Sequence, residues 1–183
     1  MSLFSQENCT TITGISTIIA EANLSYNYNF LIKADRELDF NDRQMKMRNI
    51  NVKIVKKVDS SQVCEISVKP GLLFEDTYEK SSSKSYITQK DLKKEVLDND
   101  FGDFIVADFN FDKKEDFAIK VDSGGNTGPN YEFYIQSNNG CFEKDIFLSC
   151  EVAFFPSVID RWRQRLITTV HAGACCYNKH IYH

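Results

Sequence analysis

The sequence predicts a mainly β fold, and three observations predict it. Several short segments alternate apolar and polar residues with a period of two. Turn-forming clusters such as Asp59-Ser60-Ser61, Pro70-Gly71 and Asn138-Asn139-Gly140 punctuate them. No long stretch carries a helical stripe. The expected architecture is a single domain of antiparallel strands, either propeller-blade-like or a small sandwich. It holds a metal-type loop of pattern D-x-N-x-D-x-x-x-D and at most one or two short helices.

The N-terminal residues are rich in Thr, Ser and Ile and read as a β segment of unclear role, residues 1–49. In Ser25–Ala34, Tyr26, Tyr28, Phe30 and Ile32 take one face of a half-buried strand. The charged run Asp35–Asn49 reads as a loop. Residues 50–183 read as the main β domain, continuous with what precedes it. Ile50–Val58 and Val63–Val68 form a hairpin around the Asp59-Ser60-Ser61 turn. Ser81-Ser82-Ser83 reads as a surface loop. Thr88-Gln89-Lys90-Asp91 has the form of a capping box, followed by Leu92, Val96 and Leu97 at helical spacing, so a short helix is expected there. Phe104–Phe109 and Phe117–Val121 are strands on either side of the metal-type loop. Ser123–Asn130 is a glycine-rich connection to a strand that alternates Tyr131, Phe133 and Ile135 with Glu132, Tyr134 and Gln136. The Asn138-Asn139-Gly140 turn returns the chain through Cys141–Glu143. The tail is ambiguous: Val158, Ile159, Trp162 and Leu166 fit a helical stripe, whereas Arg161, Arg163 and Arg165 alternating with Trp162, Gln164 and Leu166 suit a strand, and the β-branched-rich run Leu166–Val170 decides for strands. One hundred and eighty-three residues without an internal repeat exclude a complete multi-blade propeller.

The loop Asp108–Asp116 carries the clearest chemistry. In an extended lead-in, Asp108, Asn110 and Asp112 share one face, and Phe109 and Phe111 share the other. The candidate ligands are Asp108, Asn110, Asp112, the backbone carbonyl of Lys114, and Asp116. A hard cation such as calcium takes about six to eight oxygens at roughly 2.3–2.6 Å. An EF-hand needs Gly at its sixth place and Glu at its twelfth, where this chain has Lys113 and Ile119, so that motif is excluded. The bland alternative is a solvated acidic turn.

A net charge of −4 gives no basic nucleic-acid footprint. No run approaches the ~18 apolar residues of a membrane-spanning helix. No signal peptide is visible after Met1-Ser2-Leu3. Six cysteines, an even number, favour at least one disulfide and a periplasmic or extracellular home. Cys141 and Cys150 flank a short segment that a disulfide would close. Adjacent Cys175 and Cys176 point to opposite faces of a strand. Six buried, reduced thiols are the alternative.

The glycine-rich connection has neither the helix of a dinucleotide fingerprint nor the Lys-Ser/Thr of a phosphate loop. It reads either as a plain hairpin connection or as a preorganised wedge for a partner's cleft. In the second case Gly124, Gly125, Asn126, Asn130 and Tyr131 make the contact. Arg161, Arg163 and Arg165 alternate along the tail as a basic stripe or a solvated face. His171, His180 and His183 have no placed nucleophile partner, and no carboxylate pair stands out as a glycosidase couple. The chain therefore reads as non-catalytic.

The segment Ile105-Val106-Ala107-Asp108-Phe109-Asn110-Phe111-Asp112, then Asp116-Phe117-Ala118-Ile119, resembles the VCBS/FG-GAP type of calcium loop, with Lys113 where that pattern has Gly. Ser123-Gly124-Gly125, the aromatic strand Tyr131–Ile135 and Cys175-Cys176-Tyr177 extend the resemblance, which covers roughly residue 51 to the end. It implies kinship with small single-domain bacterial envelope proteins, some of which inhibit lysozyme-like peptidoglycan hydrolases or confer immunity to them. It implies Ca2+ as a structural ion and a protein partner such as a peptidoglycan hydrolase or toxin. A non-catalytic adhesion or surface module is the alternative.

Overall fold

The computed structural model describes residues 14–41, 43–93, 96, 99–125, 127–172 and 176–183. Among the described residues, strand accounts for 54% and helix for 4%, which makes the fold mainly β, and the sheets they form do not close into a barrel. The first sheet is an antiparallel meander of β1 (Gly14–Glu21), β2 (Tyr28–Asp39), β3 (Gln44–Lys56) and β4 (Gln62–Val68). The second contains β5 (Ser83–Ser85), β6 (Phe104–Ala107), β7 (Asp116–Gly125), β8 (Gly128–Gln136) and β9 (Phe142–Lys144) in that spatial order. The third is formed by β10 (Val158–Asp160), β11 (Arg165–His171) and β12 (Tyr177–Tyr182). Among the described residues all strand pairings are antiparallel except β5 with β6, which is parallel, against the expectation of antiparallel strands throughout.

The five-stranded sheet is buried on both faces. Phe104 and Val106 of β6 and Phe117 and Ile119 of β7 point into a core shared with Phe30, Ile32, Val52 and Ile54 of the first sheet. The rings of Phe30 and Phe104 lie 5.0 Å apart, and Phe117 stacks on Tyr134 at 5.0 Å. The alternate residues Ile105, Ala107, Ala118, Tyr131 and Phe133 enter a second core with Leu148, Phe155 and Leu166. A strand covered on both faces needs apolar residues at successive positions, so β6 reads Phe-Ile-Val-Ala with no polar residue. Position 49, the expected end of the N-terminal segment, falls inside β3, and residues on both sides of it pack into the first core.

Several local expectations need correction. The charged run at 35–49 is strand at both ends. β2 continues to Asp39 and β3 begins at Gln44, with a bulge at Asp35/Arg36. Arg36 is buried there because its guanidinium donates to the carbonyls of Glu75 and Thr77. Ser81 and Ser82 lie in an exposed loop as expected, but Ser83 is buried and the loop is tied down. The hydroxyls of Ser81 and Ser83 donate to buried Glu21, and Ser83 opens β5. No α-helix begins at Thr88. Gln89 and Asp91 have φ of +64° and +57°, and the amides of Ile87 and Thr88 donate to Ser85 Oγ. Leu97 of that expected helix lies outside the described residues. Among the described residues the one helical segment is a π-helical turn, Phe147–Val152, on the second core. Arg161, Arg163 and Arg165 do not alternate along one strand; of the two readings the solvated face holds, with Arg161 and Arg163 exposed. Arg161 and Arg163 lie in the turn after β10, and Arg163 and Arg165 both donate to Asp160. Cys64, Cys141, Cys150 and Cys176 carry free thiols, so the expected Cys141–Cys150 closure is not formed. Cys175 lies outside the described residues.

Candidate metal centre

The loop between β6 and β7 separates its two faces as the alternation predicts. Phe109 is buried in the second core and Phe111 packs against it, while Asn110 and Asp112 face outward. The turn is achieved by positive φ at Phe111 (+62°) and Lys113 (+69°). Lys113 thus takes the left-handed conformation that a glycine would accept more readily.

Asp108 is 8% exposed. Its Oδ2 accepts the amide of Lys113 at 3.1 Å, but its Oδ1 is buried with no hydrogen-bond partner. Burial pushes its carboxyl above the usual carboxylate range, and the charge of Asp112 adds to that, against the opposing amide of Lys113. Asp116 is fully buried, with Oδ2 accepting the amide of Phe109 at 2.8 Å and Oδ1 that of Gln136 at 2.9 Å. Burial drives its pKa up to about 7 in spite of those two amides, and the charges of Asp112 and Asp108 push the same way. Burial would also raise Asp112. The Lys114 amide, the Lys114 ammonium and Asn110 outweigh it and hold Asp112 low. Asn110 Oδ1 accepts the amide of Asp112 at 3.1 Å.

These carboxylates repel one another in a half-dry site, which is the electrostatic setting a cation relieves. One internal cation already touches it. The Lys114 ammonium lies 3.1 Å from Asp112 Oδ2 and 2.9 Å from Asn138 Oδ1. Among the described residues, no three His, Cys, Asp or Glu side chains converge on one point as a closed cage. The donor type is nevertheless the one a hard cation takes. The donors are oxygens, and Asp108 offers a buried one that no protein group uses.

The structure places the other expected contact residues differently. The glycine-rich connection is a tight hairpin, because β7 runs to Gly125 and β8 starts at Gly128. Gly124 has φ of +63°, and a Cβ there would sit 2.0 Å from the Gly128 carbonyl oxygen. Tyr131 is 1% exposed, and its hydroxyl donates to the Gly102 carbonyl at 2.9 Å, so it presents no surface to a partner. Asn130 Oδ1 is buried too. Asn126 lies outside the described residues. Gly125 remains exposed at the tip. The segment 71–74 clasps the hairpin stem. Gly71 donates to the Val121 carbonyl at 2.7 Å, Leu72 to Asp122 Oδ2 at 2.9 Å, and Phe74 to Ser123 Oγ at 2.9 Å. No family model matches this chain, and neither the curated proteins nor the solved structures contain a match to it.

Two participants escaped sequence reasoning. Glu115 reads as one more loop acid, yet it is buried, and it accepts the Tyr26 amide at 2.9 Å and the Ser25 hydroxyl. It ties the loop to the segment that enters β2. Gln136 contributes a backbone amide, which no side-chain pattern announces.

Proposed function

We propose that this chain is a calcium-stabilised, non-catalytic binding protein of the bacterial envelope. Following the resemblance of its loop, its role is to inhibit a lysozyme-like peptidoglycan hydrolase or confer immunity to it. The observation that carries the calcium reading is the buried, unpartnered Asp108 Oδ1 in a cluster of mutually repelling carboxylates. Asp108, Asn110, Asp112, the Lys114 carbonyl and Asp116 would hold the ion. When bound, the ion supplies a fixed positive charge.

The chain's own residues then set the geometry. Asp116 fixes the loop to β8, Phe109 fixes it to the second core, and Glu115 fixes it to the start of β2. The clasped β7–β8 hairpin, with exposed Leu72 and Phe74 beside its stem, supports a preorganised contact surface. A surface already ordered before contact loses less entropy on binding.

Two measurements test this reading separately. Calorimetric titration of chelator-treated protein with calcium should give saturable binding that Asp112→Ala abolishes. No heat and no change in melting temperature would remove the calcium reading. Clearing of a peptidoglycan suspension by a lysozyme-like hydrolase should slow when the protein is added. Unchanged clearing across a panel of such hydrolases would remove the inhibitor reading and leave a surface module.

A further inference from the structure

The edge strands of two sheets meet at a pair of thiols. β4 is the last strand of the first sheet, and β9 is the last of the five-stranded sheet. Cys64 pairs with Ile54 in register and faces the first core, where it packs beside partly buried neighbours. The register between β3 and β4 shifts at Ile54/Val55, and Val63 is left without a register partner. Its carbonyl turns to the Cys141 thiol, which donates to it at 3.9 Å. Cys64 follows Val63 directly, and the Cys141 side chain adds to the burial that raises the Cys64 thiol. The Cys141 thiol thus lies against the backbone of the residue next to Cys64, although Val63 and Cys141 are 78 positions apart in the chain. The remaining described cysteines, Cys150 and Cys176, are exposed.

We propose that Cys64 and Cys141 form an oxidation site, at which a small-molecule disulfide such as oxidised glutathione converts the two thiols into a bond that staples β4 to β9. Burial raises the Cys64 thiol above its usual range, so Cys64 is the poorer first nucleophile. The Cys141 thiolate attacks one sulfur of the small disulfide, whose S–S bond breaks and releases one thiol. The Cys64 thiolate then attacks the Cys141 sulfur of the mixed disulfide and releases the second thiol. Two protein thiols and one disulfide give one protein disulfide and two small thiols, which carry away the two protons. Both cysteines are half-buried, so the reagent reaches them without unfolding.

The bond closes a long stretch of chain, and cross-links of that length constrain the unfolded state strongly. The test uses the full chain equilibrated in an oxidising glutathione buffer, followed by acid quench and peptide mapping without reduction. The expected result is a Cys64–Cys141 linked peptide as the main protein disulfide. Melting should occur about 10 °C higher than for the same sample treated with reductant. Cys64→Ser should lose the linked peptide and leave Cys141 carrying glutathione. The Cys150→Ser/Cys176→Ser double variant should keep both the link and the melting shift. The proposal is overturned if the wild-type chain stops at mixed disulfides on Cys64 or Cys141, or if either cysteine pairs elsewhere. Because the wild-type chain alone supplies the deciding comparison, a variant that fails to fold does not blunt the test.

Discussion

Replacing Asp108 by Asn separates a metal ligand from a merely structural acid by the sign of its effect. The amide retains an oxygen to accept the Lys113 N–H, now at 3.1 Å from Oδ2, and removes a buried negative charge. Without a cation, the wild-type chain carries that charge beside Asp112 with Oδ1 unsatisfied. Leaving a buried polar group unpaired costs roughly 1–3 kcal/mol, and Asn still presents one poorly paired atom, so the net relief is about 1 kcal/mol. In chelator, Asp108→Asn should therefore melt about 3 °C above wild type, at the ~2–4 °C per kcal/mol expected for a chain of this size. With calcium at about 100 times its dissociation constant, the wild type gains roughly 2.7 kcal/mol, or about 5–10 °C. The variant, having lost a carboxylate ligand, gains much less. The order of melting temperatures should invert between the two conditions, as read by scanning calorimetry on one preparation split in two. A variant that melts lower than wild type by the same margin in both buffers would refute the reasoning, because Asp108 would then be an ordinary structural acceptor.

Three further outcomes follow from other parts of the fold. Gly124→Ala places a Cβ 2.0 Å from the Gly128 carbonyl at a φ of +63°, so it should destabilise by about 2 kcal/mol or more and shift the amide resonances of the hairpin. Lys120, 5% exposed and 2.8 Å from both Asp103 and Asp100, should cost roughly 3–5 kcal/mol in urea unfolding when changed to Met, because Asp103 stays buried without its cation. Burial would raise Glu21, but Lys90, Ser81 and Ser83 more than offset it and hold its carboxyl below the usual 4.5. Its folded value is depressed, so its contribution is present above the unfolded value and lost as pH falls through the folded one. The stability difference between wild type and Glu21→Gln, about 2 kcal/mol at pH 7, should shrink steadily below about pH 4.5 and vanish in strong acid.

Strands with one wet face were legible because burial imposes a period of two. Phe30 and Ile32, or Val52 and Ile54, identify their faces without help. The turns were legible where backbone chemistry demands certain residues, as at Gly140 with φ of +86°. What misled was polarity interpreted as exposure. Arg36, Ser83 and Glu115 are polar and buried, each satisfied by a partner 39 or more positions away that no local window contains. The apparent capping box at Thr88 failed for the same reason. Thr88 Oγ1 donates to the Asn23 carbonyl at 2.7 Å, and a distant strand end claimed the group a helix would have used. At the candidate site, the oxygen donors and the two anchoring rings were legible, but the amides that hold Asp116 were not. Backbone groups leave no trace in composition.

The loop lies where the two cores are joined through one sheet, and this explains why its order matters beyond its own residues. Phe109 packs in the second core, with its ring 5.0 Å from Phe133. Phe117, just past the loop, packs in the first core against Phe104 at 5.0 Å. Between them, Asp116 holds the amides of Phe109 and Gln136 with one oxygen each. A loop that rearranged would have to move aromatic rings in two close-packed interiors at once, and interiors of that density resist small displacements. Neutralising the carboxylates of this loop therefore acts on both cores together. Cation binding should accordingly slow amide exchange in β2 and in the π-helical turn as well as in the loop itself. Protection confined to residues 108–116 would show instead that the loop is an independent appendage.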